Sequence, residues 1–285
     1  MIHVENLAFG YHPRRPLFRS LSLTLNAGTI YGLLGLNGTG KSTLLKLLTG
    51  LLFPGSGTVR SLGHVPRNRS PDFLAQVFVL PEELNVPGVT IAEYVKTRAP
   101  FYPDFQMSQL ERYLKEFELP RDLKLTALSY GQKKKFLLSF GLACQSPLLV
   151  MDEPTNGLDI PSKGQFRRLI AEAMTSERLF IISTHQVRDV ESLIDPIVIL
   201  HDGAILFNRS IAEITSRIRM SHTGTRPDPN AEGLLHTEPA VGGFWSVWKD
   251  REASDGRLDL EVLFNTIVSN PALGRSLFAA EGAAA

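Results

Sequence analysis

A nine-residue stretch at 35–43, which reads GLNGTGKST, constrains this chain more than any other part of its sequence. It matches the pattern G-x-x-x-x-G-K-[ST], in which a glycine-rich loop joins a strand to a helix. An apolar run at 29–34 precedes the stretch and a leucine-rich run at 43–52 follows it, so the expected strand and helix are both present. Backbone N–H groups of such a loop, together with the helix N-terminus, face an anion. The sequence therefore predicts a phosphate-binding loop, which we call the phosphate loop.

Residue types within the phosphate loop fit that chemistry. Glycine lets the backbone approach a phosphate chain closely. Lys41 is expected to reach the β- and γ-phosphates of a nucleotide, and the Ser42 hydroxyl is expected to hold Mg²⁺. The predicted nucleotide-contacting residues of the loop are Gly35, Asn37, Gly38, Gly40, Lys41, Ser42 and Thr43.

The composition argues against several classes of protein. The chain has 285 residues, of which 43% are apolar, and this is enough for a sizeable core. Its 30 basic residues nearly balance its 29 acidic ones, which argues against a nucleic-acid protein held mainly by a basic face. The one cysteine, Cys144, excludes an intrachain disulfide and has the apolar neighbours of a buried thiol, which fits a reducing compartment. We see no signal peptide and no apolar window of about 18 residues, so we expect a soluble chain.

Strand-like and helix-like segments alternate along most of the chain, which predicts a mainly parallel α/β sheet. Strands are predicted at 2–9, 21–25, 29–34, 58–62, 76–80, 148–151, 179–182, 197–200 and 204–207, the last two as a hairpin. Helical spacing dominates between 90 and 144, and further helices are predicted at 161–175 and 187–194. Residues 66–71 are polar and predict a loop.

The C-terminal part has a different character. Residues 216–233 contain a run rich in Thr, Pro, Asp, Asn and Gly, which predicts a linker. Residues 234–278 predict a small accessory unit with one or two strands followed by a helix at 259–267. We expect Trp245 and Trp248 to form the core of this unit, with a surface that faces a partner as the alternative. The tail at 279–285 predicts disorder.

Two carboxylates follow the apolar run at 148–151. Asp152 stands where a second metal contact is needed next to a phosphate loop, bonded directly or through water. Glu153, one residue further on, could accept a proton from an attacking water. An acidic pair at a strand end is commonly no more than solvated, but the phosphate loop favours the catalytic interpretation.

Two further polar features complete the pattern. The segment 128–132, which reads LSYGQ, places Ser129 at the start of a helix, where its hydroxyl, the small Gly131 and free N–H groups could bind an anion. His185 follows the predicted strand at 179–182, after Ser183 and Thr184. It is therefore expected next to the strands of the predicted phosphate site. A serine-initiated helix and a lone histidine are more often structural, so each signal is weak when taken alone.

These four features follow one another in a fixed order, and in this the chain resembles the ATP-binding cassette ATPase family over about residues 1–215. The resemblance implies an α/β fold with a P-loop NTPase (RecA-like) core, an antiparallel β subdomain and an inserted α-helical subdomain at about 90–144. The C-terminal unit adds a small α+β extension. The resemblance also implies that ATP is held between two copies of the chain, with the phosphate loop of one copy facing residues 129–132 of the other.

The resemblance assigns roles to individual residues. Tyr11 would stack on adenine, Asp152 would support Mg²⁺, and Glu153 would polarise the attacking water. His185 would contact the γ-phosphate. Asp159 belongs to the segment 156–159 that would link the two nucleotide sites. The residues that would contact the γ-phosphate across the dimer are Ser129, Gly131 and Gln132.

The chain departs from the family pattern at two positions. Tyr130 stands where glycine is usual, and we expect its side chain to point away from the phosphate-facing backbone. Glu82 stands where a glutamine usually touches Mg²⁺ and the attacking water. An ionised carboxylate only accepts hydrogen bonds, whereas an amide both donates and accepts. We therefore expect Glu82 to ligate the metal side of the site and to alter its metal dependence without abolishing activity.

Three features resemble ATP-binding subunits of multisubunit bacterial exporters: the segment 80–83, the lysine run at 133–135 and the C-terminal unit. The lysine run is also typical of a solvated helix face, so it carries little weight. This resemblance implies that separate transmembrane permease subunits hold the chain at the inner face of the cell membrane, in the cytoplasm. Their contact is expected in a cleft bounded by residues 82–105, with Phe101, Tyr102 and Phe105 as candidate contacts.

Two other functions fit the sequence less well. A soluble cassette ATPase that acts on ribosomes or DNA usually has two cassettes, a long coiled coil or basic extensions, whereas this chain has one phosphate loop and a net charge of +1. No nucleic-acid partner is therefore expected. A cassette that binds ATP without hydrolysis is disfavoured because the residues expected to hydrolyse ATP are all present.

Overall fold

Strands and helices alternate in the computed structural model, which describes residues 1–12, 14–119, 122–249 and 258–278. In chain order, the strands are β1 (Ile2–Phe9), β2 (Phe18–Leu25), β3 (Thr29–Leu34), β4 (Ser56–Ser61), β5 (Val77–Leu80), β6 (Leu148–Asp152), β7 (Leu179–Thr184), β8 (Ile197–His201), β9 (Ala204–Arg209), β10 (Ile218–Thr223), β11 (Leu234–Ala240) and β12 (Gly243–Lys249). The α-helices are α1 (Lys41–Leu48), α2 (Pro71–Ala75), α3 (Ile91–Arg98), α4 (Met107–Glu116), α5 (Tyr130–Ala143), α6 (Ile160–Ala173), α7 (Ile211–Thr215), α8 (Leu260–Ser269) and α9 (Pro271–Leu277).

A six-stranded sheet in the order β5-β6-β7-β3-β8-β9 forms the centre of the fold. Its first five strands are parallel, and β9 pairs antiparallel with β8 as the predicted hairpin. The α/β prediction is confirmed. Because the carboxyl ends of parallel strands meet at one edge of a sheet, the segments that follow β3, β6 and β7 come together there.

Side chains of the central strands alternate between two apolar clusters, since successive residues of a strand point to opposite faces. One cluster joins the sheet to the helices at 91–143, and the other joins it to α1 and the antiparallel sheet β2-β1-β4. From β6 and β7, the first cluster takes Leu149, Met151, Phe180 and Ile182, and the second takes Leu148, Val150, Leu179 and Ile181. Both faces are covered, which explains why these strands are apolar throughout.

The helices at 91–143 form the predicted insertion, and α5 packs against the first strand of the central sheet. An aromatic cluster around Phe140 joins Phe78 of β5 to Tyr94, Tyr102 and Phe105, with ring centroids 5.2 to 6.1 Å from that of Phe140. Tyr102 and Phe105 are therefore largely packing residues, whereas Phe101 is 67% exposed. Burial raises the pKa of Cys144 at the end of α5, so the expected buried thiol is confirmed.

The C-terminal unit differs from the prediction at its start. The predicted linker at 216–233 contains β10, which pairs along its whole length with β12 in a sheet of order β10-β12-β11. This part of the prediction is wrong because Ile218 and Met220 alternate with polar residues and are buried against the main core. The same apolar cluster continues into Val247 of β12 and into α8, so the core has no gap at the unit.

The two tryptophans of the unit lie on opposite faces of β12. Trp245 packs against the core cluster and makes an edge-to-face contact with His222, at a centroid distance of 5.2 Å. Trp248 donates its indole N–H to the hydroxyl of Ser221 at 3.0 Å. Both are partly buried.

Two local predictions are wrong. The expected loop at 66–71 contains a 3-10 turn at Pro66–Asn68 and the start of α2, which Ser70 caps. The expected helix at 187–194 is a 3-10 turn at Val187–Asp189 followed by further turns, because its backbone N–H groups bond three residues back rather than four. The predicted disorder at 279–285 lies outside the described residues. In the part of the chain that the structure describes, no helix combines the length and apolarity needed to cross a bilayer.

A close helix–strand contact gives a stability prediction. A Cβ on Gly141 of α5 would lie 2.4 Å from the ring of Phe78, whereas a Cβ on Gly164 of α6 would meet nothing within 4 Å. We expect Gly141→Ala to lower the free energy of unfolding by about 1–3 kcal/mol through overpacking. Gly164→Ala should raise it by about 0.4–1 kcal/mol, because alanine reduces the freedom of the unfolded chain. Urea unfolding of both variants measures this, and equal shifts would contradict the close packing.

Candidate functional site

The phosphate loop runs from the end of β3 into α1, which begins at Lys41. Gly40 has a φ of +103°, and a Cβ there would lie 2.9 Å from the ring of Phe18. A Cβ on Gly35 would lie 2.7 Å from the carbonyl oxygen of Leu200. Glycine is therefore required at both positions, because any side chain would displace the backbone from this path.

A cleft of about 720 Å³ opens in front of the loop. It brings together most of the residues predicted from the sequence, namely Tyr11, Asn37, Gly38, Gly40, Lys41, Ser42, Thr43, Glu82, Glu153 and His185. His12 and Arg15 also line it, and the sequence analysis did not single them out. The available signal was a basic turn directly after Tyr11.

Glu153 is the most constrained carboxylate of the cleft. It is 3% exposed, and its Oε1 lies 2.7 Å from Nδ1 of His185 and accepts the backbone N–H of that residue at 3.0 Å. The Thr184 hydroxyl donates to Oε2 at 3.1 Å. These contacts arise because β6 and β7 are parallel neighbours, so the residues that follow the two strands face each other. The arrangement fixes the direction of the carboxylate.

Asp152 lies one residue earlier, at the end of β6. Its carboxylate accepts a hydrogen bond from the hydroxyl of Ser183, its register partner on β7, and it is 6% exposed. The two consecutive acidic residues thus have different surroundings. Asp152 is the last residue of β6, whereas Glu153 lines the cleft.

Lys41 extends its side chain along the phosphate loop. Its Nζ donates to the carbonyl oxygens of Gly35 at 2.8 Å and Leu36 at 3.3 Å, and it lies 3.8 Å from Oε1 of Glu153. Burial lowers the pKa of Lys41, and the nearby carboxylates of Glu153, Asp152 and Glu82 oppose that shift. A buried cation held by backbone carbonyls is suited to an anionic ligand.

Tyr11 lies at the mouth of the cleft and is 59% exposed. Its hydroxyl forms a hydrogen bond of 3.0 Å with the Thr43 hydroxyl, and its ring meets Phe9 edge-on at 5.1 Å. The ring is therefore fixed in direction while most of its surface is open. Stacking of a base on it remains a prediction.

The segment 129–132 lies outside this cleft. Ser129 and Gln132 form a capping box at the start of α5, with hydrogen bonds of 3.2 and 2.9 Å. A Cβ on Gly131 would lie 2.8 Å from the carbonyl oxygen of Gly157, so this helix start packs directly on the segment 156–159. Asp159 caps α6 and is exposed, and hydrogen bonds from Ser162 lower its pKa. The structure thus separates these four predicted residues from the other site residues.

Lys134 is a further functional candidate whose role the sequence pattern did not reveal. The alternative interpretation of the lysine run as a solvated helix face does not hold for Lys134, which is 0% exposed and whose Nζ donates to the backbone carbonyl of Glu153 at 2.7 Å. Burial lowers its pKa to about 8, against the opposing effect of Glu82, Glu153 and Asp152. The spacing was a usable signal, because Lys134 and the unusual Tyr130 are four residues apart and share a helix face.

Tyr130 turns toward Glu82 at the edge of the cleft. Its hydroxyl donates to the backbone carbonyl of Glu82 at 2.6 Å, and its ring lies 5.0 Å from Nζ of Lys134. The Glu82 side chain lines the cleft with Glu153. Both departures from the family pattern, Tyr130 and Glu82, are therefore in direct contact.

Comparison with known proteins agrees with this geometry. A family model described as "ABC transporter" matches residues 18–156. The molybdate import ATP-binding protein MolC of Haemophilus influenzae is 31% identical over 221 residues, which cover 75% of this chain and 85% of MolC. The Nod factor export ATP-binding protein I of Burkholderia lata is 34% identical over 68% of this chain and 64% of that protein. The chain spans less than two thirds of the length of several curated relatives that it matches.

The fold has a solved counterpart. The structure of an ATP-binding subunit of an ABC transporter superposes with a TM-score of 0.68 at 25% identity, covering 75% of this chain and 91% of that one. The similarity therefore extends over nearly the whole of that subunit.

Burial of Lys134 gives a pH prediction. Its folded pKa of about 8 lies below the ordinary value of 10.5, so between these pH values the unfolded chain binds a proton that the folded chain does not. The free energy of unfolding should therefore rise with pH in this window. Between pH 7 and pH 10.5, the free energy of unfolding of the wild type should rise by about 3 kcal/mol relative to that of Lys134→Met. Guanidinium unfolding across this range measures the difference, and parallel pH profiles of the two proteins would contradict a buried charged lysine.

Proposed function

The chain belongs to the ABC transporter family as an ATP-binding subunit, and from this premise we propose that two copies close around two ATP molecules and hydrolyse them to drive transport through separate membrane subunits. The observation that carries this proposal is the convergence of Lys41, Glu153 and His185 in one cleft beside the phosphate loop. A cation for the phosphates and an oriented carboxylate for a water are the parts that phosphoryl transfer to water needs.

The donor set of the cleft fits Mg²⁺. Ser42 and Glu82 line the cleft, and Asp152 lies at the strand end next to Glu153. Hydroxyl and carboxylate oxygens are the hard ligands that this ion prefers. When bound, the ion would neutralise charge on the β- and γ-phosphates. A Cβ on Gly38 would meet nothing within 4 Å, so the loop backbone at that residue is open to those phosphates.

Hydrolysis then follows from the position of Glu153. Its carboxylate accepts a proton from a water that attacks the γ-phosphorus, the bond between that phosphorus and the bridging oxygen breaks, and ADP and phosphate leave. His185 holds the carboxylate through two contacts of 2.7 and 3.0 Å. From this position it would contact the γ-phosphate. General base catalysis of this kind contributes about 10²–10⁴-fold to a rate.

A second copy of the chain would complete each site. Ser129, Gly131, Gln132 and Asp159 lie outside the cleft of their own chain, at helix starts that are exposed or partly exposed. Helix N-termini attract anions. We therefore assign residues 129–132 to the γ-phosphate of the partner's ATP, and Tyr11 to the adenine of the chain's own ATP.

The contact with a membrane subunit is proposed for a groove between α3 and α4. This groove has a volume of about 540 Å³ and lies within the inserted helices. Its lining is mainly apolar and includes Ile91, Val95, Ala99, Phe105, Met107 and Leu110. A helix of a separate permease subunit would fit such a groove through its apolar face. This contact would hold the chain on the cytoplasmic face of the membrane. The Nod factor relative is an export protein and MolC is an import protein, and of these two directions we propose export.

Glu153→Gln tests the proposed chemistry. The amide should retain ATP binding but lower the rate of ATP hydrolysis by about 10²–10⁴-fold, because it cannot accept the proton. The variant should therefore accumulate an ATP-dependent dimer, which size-exclusion chromatography detects. Lys41→Ala is the matched control and should lose both ATP affinity and the dimer. A wild-type rate in Glu153→Gln would show that Glu153 is not the base.

Glu82→Gln tests the proposed role of Glu82 as a ligand of Mg²⁺. Removing one negative ligand should raise the Mg²⁺ concentration needed for half-maximal ATPase activity by about threefold or more, since ligand charge sets cation affinity. Glu83→Gln, the neighbouring exposed carboxylate, is the control and should leave this concentration unchanged. Superimposable Mg²⁺ curves for wild type and Glu82→Gln would contradict the assignment of Glu82 to the metal.

A further inference from the structure

Two side chains of α5, Tyr130 and Lys134, connect the start of that helix to the chain's own cleft. The Tyr130 hydroxyl donates to the Glu82 carbonyl at 2.6 Å, and Lys134 Nζ donates to the Glu153 carbonyl at 2.7 Å. The two side chains also meet each other, since Lys134 Nζ lies 5.0 Å from the Tyr130 ring. We call this pair of residues, with its two carbonyl contacts, the α5 bridge.

The Glu153 end of the α5 bridge holds an unusual backbone. Glu153 has a φ of +46°, in the left-handed region that residues other than glycine rarely adopt. Such a conformation persists only where the surroundings determine it. Its N–H donates to Ser183 at 3.0 Å, and its carbonyl accepts Lys134 Nζ and the N–H of Asn156. Lys134 therefore helps to fix the backbone that aims the Glu153 carboxylate.

The Tyr130 end of the α5 bridge packs against the segment 156–159. A Cβ on Gly157 would lie 2.6 Å from the Tyr130 ring, and Gly157 has a φ of +78°. The ring thus fills the space that a side chain at 157 would need. Tyr130 therefore stands at the helix start and contacts both Glu82 and this segment.

We propose that Tyr130 and Lys134 are positioning residues that couple the two ATP sites of the dimer. This inference rests on the proposed ATP-held dimer, in which residues 129–132 of one chain engage the partner's γ-phosphate. Movement of α5 on that engagement is passed to Glu82 and Glu153 of the same chain, because both carbonyls are hydrogen-bonded to the helix. The hydrogen bond from Lys134 to the Glu153 carbonyl should persist during this movement, because a buried ammonium that loses its acceptor is strongly destabilising.

The test uses Tyr130→Phe in the full-length chain. This change keeps the ring on Gly157 and over Lys134 but removes the hydrogen bond to Glu82. We expect the Hill coefficient for ATP in steady-state hydrolysis to fall from near 2, the limit for two sites, toward 1. The kcat should fall about fivefold, the equivalent of one hydrogen bond, while KM stays within about twofold. Lys134→Met should lower the Hill coefficient in the same way.

Two control variants separate coupling from simple support of the fold. Tyr113→Phe removes a 2.8 Å hydrogen bond to Gln109 elsewhere in the inserted helices, and Lys133→Met removes the neighbouring, less buried lysine. Both should keep the wild-type Hill coefficient. A role limited to stability would lower the melting temperature of the bridge variants and leave their Hill coefficient unchanged, which would overturn the inference.

The outcomes also separate this inference from the proposed function. If Glu153→Gln forms the ATP-dependent dimer but the wild-type Hill coefficient is 1, the dimer stands and the coupling is refuted. If the control variants lose cooperativity as much as the bridge variants, the assignment to Tyr130 and Lys134 is refuted. If no ATP-dependent dimer forms at all, the proposed function is refuted, and the inference that rests on it is refuted too.

Discussion

The Glu153 carboxylate accepts hydrogen bonds from the strand next to its own, and the cleft is built around this contact. The parallel pairing of β6 and β7 places residues 153 and 184–185 side by side, and the pairing of β7 with β3 brings the phosphate loop to the same edge. Lys41 can then lie 3.8 Å from the carboxylate without a dedicated loop. A shift of β6 by one residue would turn Glu153 to the opposite face of the sheet, so strand register controls the chemistry.

Electrostatics adds a second constraint. Lys41 and Lys134 are both nearly buried, and they lie on either side of Glu153, one near its carboxylate and one at its carbonyl. Each lysine loses hydration, and the carboxylates of Glu82, Asp152 and Glu153 offset part of that cost in both cases. An ATP that carries negative charge would enter a cleft in which the Lys41 ammonium is already held in place by two backbone carbonyls. Little reorganisation is then needed when the ligand binds.

Local sequence patterns predicted the residues of the cleft better than the elements that hold them in place. The phosphate loop, Asp152, Glu153 and His185 follow apolar strands, and the parallel sheet gathers such positions at one edge, so the pattern was sufficient. Lys134 could not be placed in this way, because α5 is buried over most of its surface and charge alone does not reveal which lysine enters the core. The strand β10 was missed because it has only two buried apolar residues, and its pairing with β12 depends on tertiary contacts. The turns at 187–194 have helical spacing but form hydrogen bonds to the third residue back.

The contact between Tyr130 and Gly157 links two positions that are far apart in the sequence. The ring occupies the volume of a side chain at 157, and the positive φ of Gly157 independently disfavours any other residue there. A large aromatic at position 130 is thus tolerated only on a backbone without a side chain opposite it. Among relatives, we therefore expect subunits with an aromatic residue at position 130 to have glycine at position 157.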